Sequence, residues 1–109
     1  MTRKSETIET LKAMRVKLAA GWTRDAAARD ARGRSVNSDD EKACSYCLLG
    51  ALWSMEKDRL EPTVEAALLR TLKKGGVKDQ LATYNDTPGR TQEEILALVD
   101  KTIERLEKQ

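Results

Sequence analysis

Eight consecutive non-polar residues, Tyr46-Cys47-Leu48-Leu49-Gly50-Ala51-Leu52-Trp53, stand in a chain of which 35% is charged. Such a run belongs in the interior, and it is preceded by Ser38-Asp39-Asp40-Glu41, a serine three residues before a glutamate. That spacing predicts a capping box, with the aspartates at the positive end of the helix dipole. At 100° per residue Ala43, Cys47, Gly50, Ala51 and Ser54 fall on one side. Tyr46, Leu49, Leu52 and Trp53 cover much of the other. A helix apolar nearly all round is an enclosed one. The expectation is therefore a central helix over about 39–57, with Gly50 and Ala51 letting a neighbouring helix pack close.

The flanking segments read as helices that could enclose it. Ile8, Leu11, Met14 and Leu18 form one stripe of a helix from about Ser5 to Ala20. Gly21 reads as the left-handed residue beyond its end, and Trp22 as the hydrophobic contact that follows. Leu60-Glu61-Pro62 is a break, and Val64, Ala67, Leu68 and Leu72 stripe a helix from Pro62 to Lys74, closed by Gly75-Gly76. Val77, Leu81 and Tyr84 are spaced for a two-turn helix. Asn85-Asp86-Thr87-Pro88-Gly89-Arg90 is turn chemistry, and Thr91 with Glu94 predicts a second capping box. Ile95, Leu98, Val99, Thr102, Ile103 and Leu106 give the cleanest stripe of all. The fold class expected is all-α, a single domain over 1–109 of four main helices plus one short one.

The segment 23–37 is different. It holds Arg24, Arg29, Arg32 and Arg34 with Asp25 and Asp30. An ordered connection with a small hairpin around Gly33 is the preferred reading, over a short helix or a plain loop. The arginines could meet phosphates or an acidic protein surface. The plainer alternative is a solvated loop in which they pair with Asp25, Asp30, Asp39 and Asp40.

Composition excludes more than it assigns. There is no histidine, and Cys44 and Cys47 are the only cysteines. One chain thus lacks the roughly four nitrogen and sulfur ligands of a usual zinc site. With Cys44 placed inside the expected helix, the pair reads as two small residues on a helix rather than a redox couple. Twenty basic against eighteen acidic residues leave +2, too near balance to name a polyanion partner. No apolar run approaches the roughly 20 residues that cross a bilayer, and no signal-peptide core follows the N-terminus. A cytoplasmic protein without membrane association, metal or cofactor is expected.

Several short patterns occur in a fixed order. They are Gly21-Trp22, Ala28-Arg29-Asp30 with Gly33 and Val36, Cys47-Leu48-Leu49-Gly50-Ala51-Leu52, Tyr84-Asn85-Asp86, and Pro88-Gly89-Arg90-Thr91-Gln92. Together they resemble a family of small uncharacterised proteins of bacteria and their phages, over about Leu11 to Ile103. Tryptophan is usual in that family where this chain has Tyr84, and Cys44 lies outside the pattern. The resemblance implies a bacterial or phage context and brings no catalytic residues.

Three functions follow as expectations. The first is a helical module that binds another protein without catalysis. The second is a nucleic-acid-binding accessory protein using Arg24 to Arg34. The third, weaker, is a small enzyme using Asp30 or Asp86, whose ordinary role would be to shape turns. The interaction candidates are Arg24, Arg29, Asp30, Arg32, Arg34, Asn85, Asp86 and Arg90. A Trp53 on the surface would leave room for a homodimer.

Overall fold

The computed structural model describes residues 2–55, 59–72 and 79–109. Five helices occur among them: α1 (Arg3–Ala20), α2 (Leu48–Trp53), α3 (Glu61–Leu72), α4 (Asp79–Asp86) and α5 (Gln92–Glu107). Three two-residue strands, β1 (Ala28–Arg29), β2 (Ser35–Val36) and β3 (Ser45–Tyr46), make an antiparallel sheet in the order β2-β1-β3. The protein is mostly helical but not all-α.

The long helices follow the periodicity. α1 buries Thr7, Thr10, Leu11, Met14 and Leu18. The two threonines are tolerated inside because their hydroxyls donate to Arg3 O at 2.7 Å and Glu6 O at 2.8 Å. α5 buries Ile95, Leu98, Val99, Thr102 and Ile103, and its N-terminus carries the Thr91–Glu94 capping box. Thr91 Oγ1 accepts from Glu94 N while Glu94 Oε1 accepts from Thr91 N. α1 and α5 run antiparallel, as Arg15 with Asp100 and Gln92 Nε2 with Leu18 O require. α3 packs Val64, Ala67, Leu68 and Leu69 against them, and a 2.7 Å hydroxyl bond joins Thr71 to Thr102. The expected closure of this helix at Lys73-Lys74-Gly75-Gly76, and Val77, lie outside the described residues.

The central helix is where the sequence misleads. Residues 38–44 form turns, with Asp40 N donating to Asn37 O and Ala43 N to Asp40 O, so Ser38 caps no helix. The chain is extended through Ser45–Tyr46, and α2 begins only at Leu48, with Cys47 as its cap. The physical reason is backbone pairing with distant residues. Cys44 N donates to Arg29 O, Tyr46 N to Gly21 O, Cys47 N to Ala27 O, and Thr23 N to Tyr46 O, all within 2.9–3.1 Å. A helix over 39–47 would leave these groups of the 21–29 segment without partners. Leu48 to Leu52 are buried as expected, but Trp53 is 42% exposed.

Gly21 is also not left-handed. Its φ of −175° and ψ of 124° are extended. Glycine is required there by contact, because a β-carbon would collide with the Cys44 carbonyl oxygen. Gly50 is held to the same standard by the Ala27 carbonyl oxygen, so its close neighbour is the residue leading into β1 and not the helix expected from the sequence. Gly33, at φ 81°, closes the β1–β2 hairpin, as read from the sequence.

Candidate functional site

The polar residues of the sequence patterns converge where the sheet meets α2 and α4. Asn85 is the hub. Expected in a turn, it lies instead in the last turn of α4 and is 1% exposed. Its Oδ1 accepts from Trp22 Nε1 at 2.7 Å and from Leu48 N at 3.0 Å. Its Nδ2 donates to Thr23 O at 3.2 Å and to Asp86 Oδ1 at 2.9 Å. Two donations and two acceptances saturate a carboxamide, which explains how so polar a side chain is buried. Asp86 Oδ1 also accepts from Asp25 N, which helps to hold Asp25 at a φ of 63°.

Arg24 and Arg29 serve the same seam. Arg24 Nη1 donates to Thr87 O at 3.3 Å, tying the 23–27 segment to the α4–α5 turn. Arg29 donates three ways: Nε to Thr23 Oγ1, Nη1 to Gly33 O and Nη2 to Arg24 O. Arg90 lies over the Tyr84 ring, 3.7 Å from its centroid. It also donates to Tyr84 O and to Glu94 Oε2. Glu94 is held below the usual carboxylate range, first by the Thr91 amide and then by the Arg90 charge.

Asp30 organises the hairpin tip. It is 8% exposed. Its Oδ1 accepts from Arg32 N at 2.9 Å and Arg34 N at 3.0 Å, and its Oδ2 from Arg34 Nε at 2.9 Å. The Arg34 amide, with smaller help from the Arg34 guanidinium and the Arg32 amide, outweighs burial and holds this carboxyl below its ordinary range. Asp30 is therefore a fixed internal anion, which is the opposite of a proton-transfer group poised near neutrality. Of the pairings expected between loop arginines and Asp25, Asp30, Asp39 and Asp40, the ion pair formed among the described residues is Arg34 with Asp30.

Arg32 and Arg34 remain at the surface. With Asp30, Ala31 and Lys42 they line an open concavity of about 440 Å³. The side chains of Arg32 and Lys42 have no hydrogen-bond or ion-pair partner among the described residues. Lys42 was not legible as part of a basic site, because it follows Asp39-Asp40-Glu41. Its backbone is placed by Asp40, whose Oδ1 accepts from Lys42 N at 2.8 Å. Thr23, also unmarked in the sequence, is the other contributor that only the fold brings in.

The cysteines are arranged differently from the expectation. Cys44 is exposed on extended chain, not inside a helix, and Cys47 is half-buried. Cys47 Sγ accepts from Gly50 N at 3.1 Å, and burial pushes its thiol pKa up despite that bond. Extended chain from residue 44 to 47 spans about 10 Å, past the roughly 7 Å within which two cysteines can bridge. A disulfide would require β3 to unpair. No three acidic or cysteine side chains gather as metal ligands among the described residues. No helix among the described residues is long and apolar enough to cross a membrane.

These features define a class: a small, mostly helical domain whose patterned polar residues serve mainly as internal clamps around a three-stranded sheet. The chain belongs to a family of unknown function, DUF6197, whose model matches residues 2–105. Comparison with curated proteins and with solved structures gave no match.

Proposed function

We propose that the protein is a binding module without catalysis, an accessory protein of bacterial or phage origin acting in the cytoplasm. It engages an acidic surface of another protein through the tip of the β1–β2 hairpin. One observation carries this reading. Of the eight candidate residues, Arg24, Arg29, Asp30, Asn85, Asp86 and Arg90 spend their polar groups on the fold, whereas Arg32 and Arg34 border the concavity with Lys42. Directional clamping of Asp30 and Arg29 beneath the tip fixes the loop before any partner arrives, which lowers the ordering cost of association.

Affinity capture tests it, with an Arg32→Glu/Lys42→Glu protein as the control. Both side chains are exposed, so the variant keeps its fold and its circular dichroism. Partners held by the native protein should be lost by the variant. Equal capture by both would sink the reading. The nucleic-acid alternative would use the same tip, but three cations supply a salt slope of only about −2.7 on duplex DNA. DNA retention that falls with salt at that slope, without protein capture, would favour it.

A further inference from the structure

We propose that the hairpin-tip concavity recognises a phosphomonoester, presented as a phosphorylated side chain on the protein partner; the inference rests on reading this tip as the binding face. Three cations, Arg32, Arg34 and Lys42, come from two separate segments, the hairpin and the turn before β3. Among the lining residues the Asp30 carboxylate offsets one of them, leaving an excess of two positive charges on the lining itself. A phosphomonoester carries about −1.5 to −2 at neutral pH and three acceptor oxygens. A carboxylate or a phosphodiester supplies only one negative charge.

The donors left uncommitted suit the same ligand. Arg34 uses Nε on Asp30, which orients the guanidinium while its terminal nitrogens make no other hydrogen bond among the described residues. Arg32 and Lys42 are uncommitted among the described residues. The Arg32 and Arg34 amides are both turned inward onto Asp30. The ligand must therefore be held by side chains, with guanidinium forks and an ammonium as its charge-assisted donors. A phosphodiester strand would need a longer row of cations, and Arg24 and Arg29, which could have extended it, are turned into the seam.

The test is a titration of ¹⁵N-labelled protein at constant ionic strength, with inorganic phosphate, a short phosphoserine peptide, its glutamate counterpart and acetate. Phosphate and the phosphopeptide should give saturable shifts at Arg32, Arg34 and Lys42. Arg32→Ala and Lys42→Ala should each weaken binding by about tenfold. Equal responses to acetate and the glutamate peptide, shifts spread over all lysines and arginines, or variants that bind as well as the parent would each overturn the proposal. Partner capture lost in Arg32→Glu/Lys42→Glu without any phosphate response removes the phosphate site and keeps the interaction module. A phosphate response with capture unaffected by that variant keeps the site and removes the module.

Discussion

The α1–α3–α5 bundle and the seam between the sheet and α4 are held by opposite means. The bundle is sealed by aliphatic side chains, Leu11, Met14, Leu68, Leu98 and Val99 among them, whose attraction has no direction. The seam is sealed by directed bonds that meet at one carboxamide, Asn85, and by two glycines that let backbone touch backbone. In the first region one apolar side chain can replace another of similar volume. In the second, both the volume and the placement of donors and acceptors are fixed.

The largest effect should come from filling the seam. Gly50→Leu places side-chain atoms where the Ala27 carbonyl already lies, and nothing flexible can move aside. Destabilisation should exceed about 3 kcal/mol, read from the urea midpoint. A loss under 1 kcal/mol would show that the sheet can lift from α2 at little cost.

A paired substitution sharpens the contrast. Asn85→Leu keeps the branched four-atom side-chain skeleton but strands the Trp22 indole N–H, the Leu48 amide and the Thr23 carbonyl, at an expected cost of about 3 kcal/mol. Leu68→Met, a swap of similar size at a site that is 0% exposed in the bundle, should cost less than about 1.5 kcal/mol. Equal losses in thermal unfolding would abolish the distinction between the two regions.

At the junction of the two, Thr91→Ala removes the cap of α5 and should cost about 1 kcal/mol. Hydrogen exchange in the first turn of α5 should rise while the seam amides stay protected. The smallest effect is acid sensitivity. The folded Asp30 carboxyl titrates below its unfolded value, so its contribution is complete above the ordinary aspartate range. It is lost as pH falls through that range towards the depressed folded value. Between about pH 5 and pH 2 the melting temperature of Asp30→Asn should therefore fall less than that of the parent. Parallel curves would remove Asp30 as a contributor.

The bundle was largely legible in the sequence because its information is local. Stripes at helical spacing and the Thr91–Glu94 box are written within one turn of the residues they describe. The hairpin at Gly33 was legible for the same reason. The rest depends on partners far along the chain. Ser38 and Glu41 have the spacing of a cap, yet Cys44, Tyr46 and Cys47 are claimed by Arg29, Gly21 and Ala27. Gly21 looks like a helix terminator, and it is glycine because Cys44 passes against it. Asn85 reads as a turn former, and its buried role appears only when Trp22 and Leu48 arrive. Lys42 was hidden by the three acidic residues before it. Each miss is a tertiary contact overriding a local preference.

The Trp22–Asn85 bond has an optical consequence. The chain carries two tryptophans, and they stand in contrasting surroundings. Trp22 is half-buried with its indole nitrogen bound, while Trp53 is 42% exposed. Acrylamide will quench Trp53 first, and Trp53→Phe leaves Trp22 as the sole tryptophan. Its wavelength then follows the seam alone, so the protein carries its own gauge of whether sheet and helix remain joined.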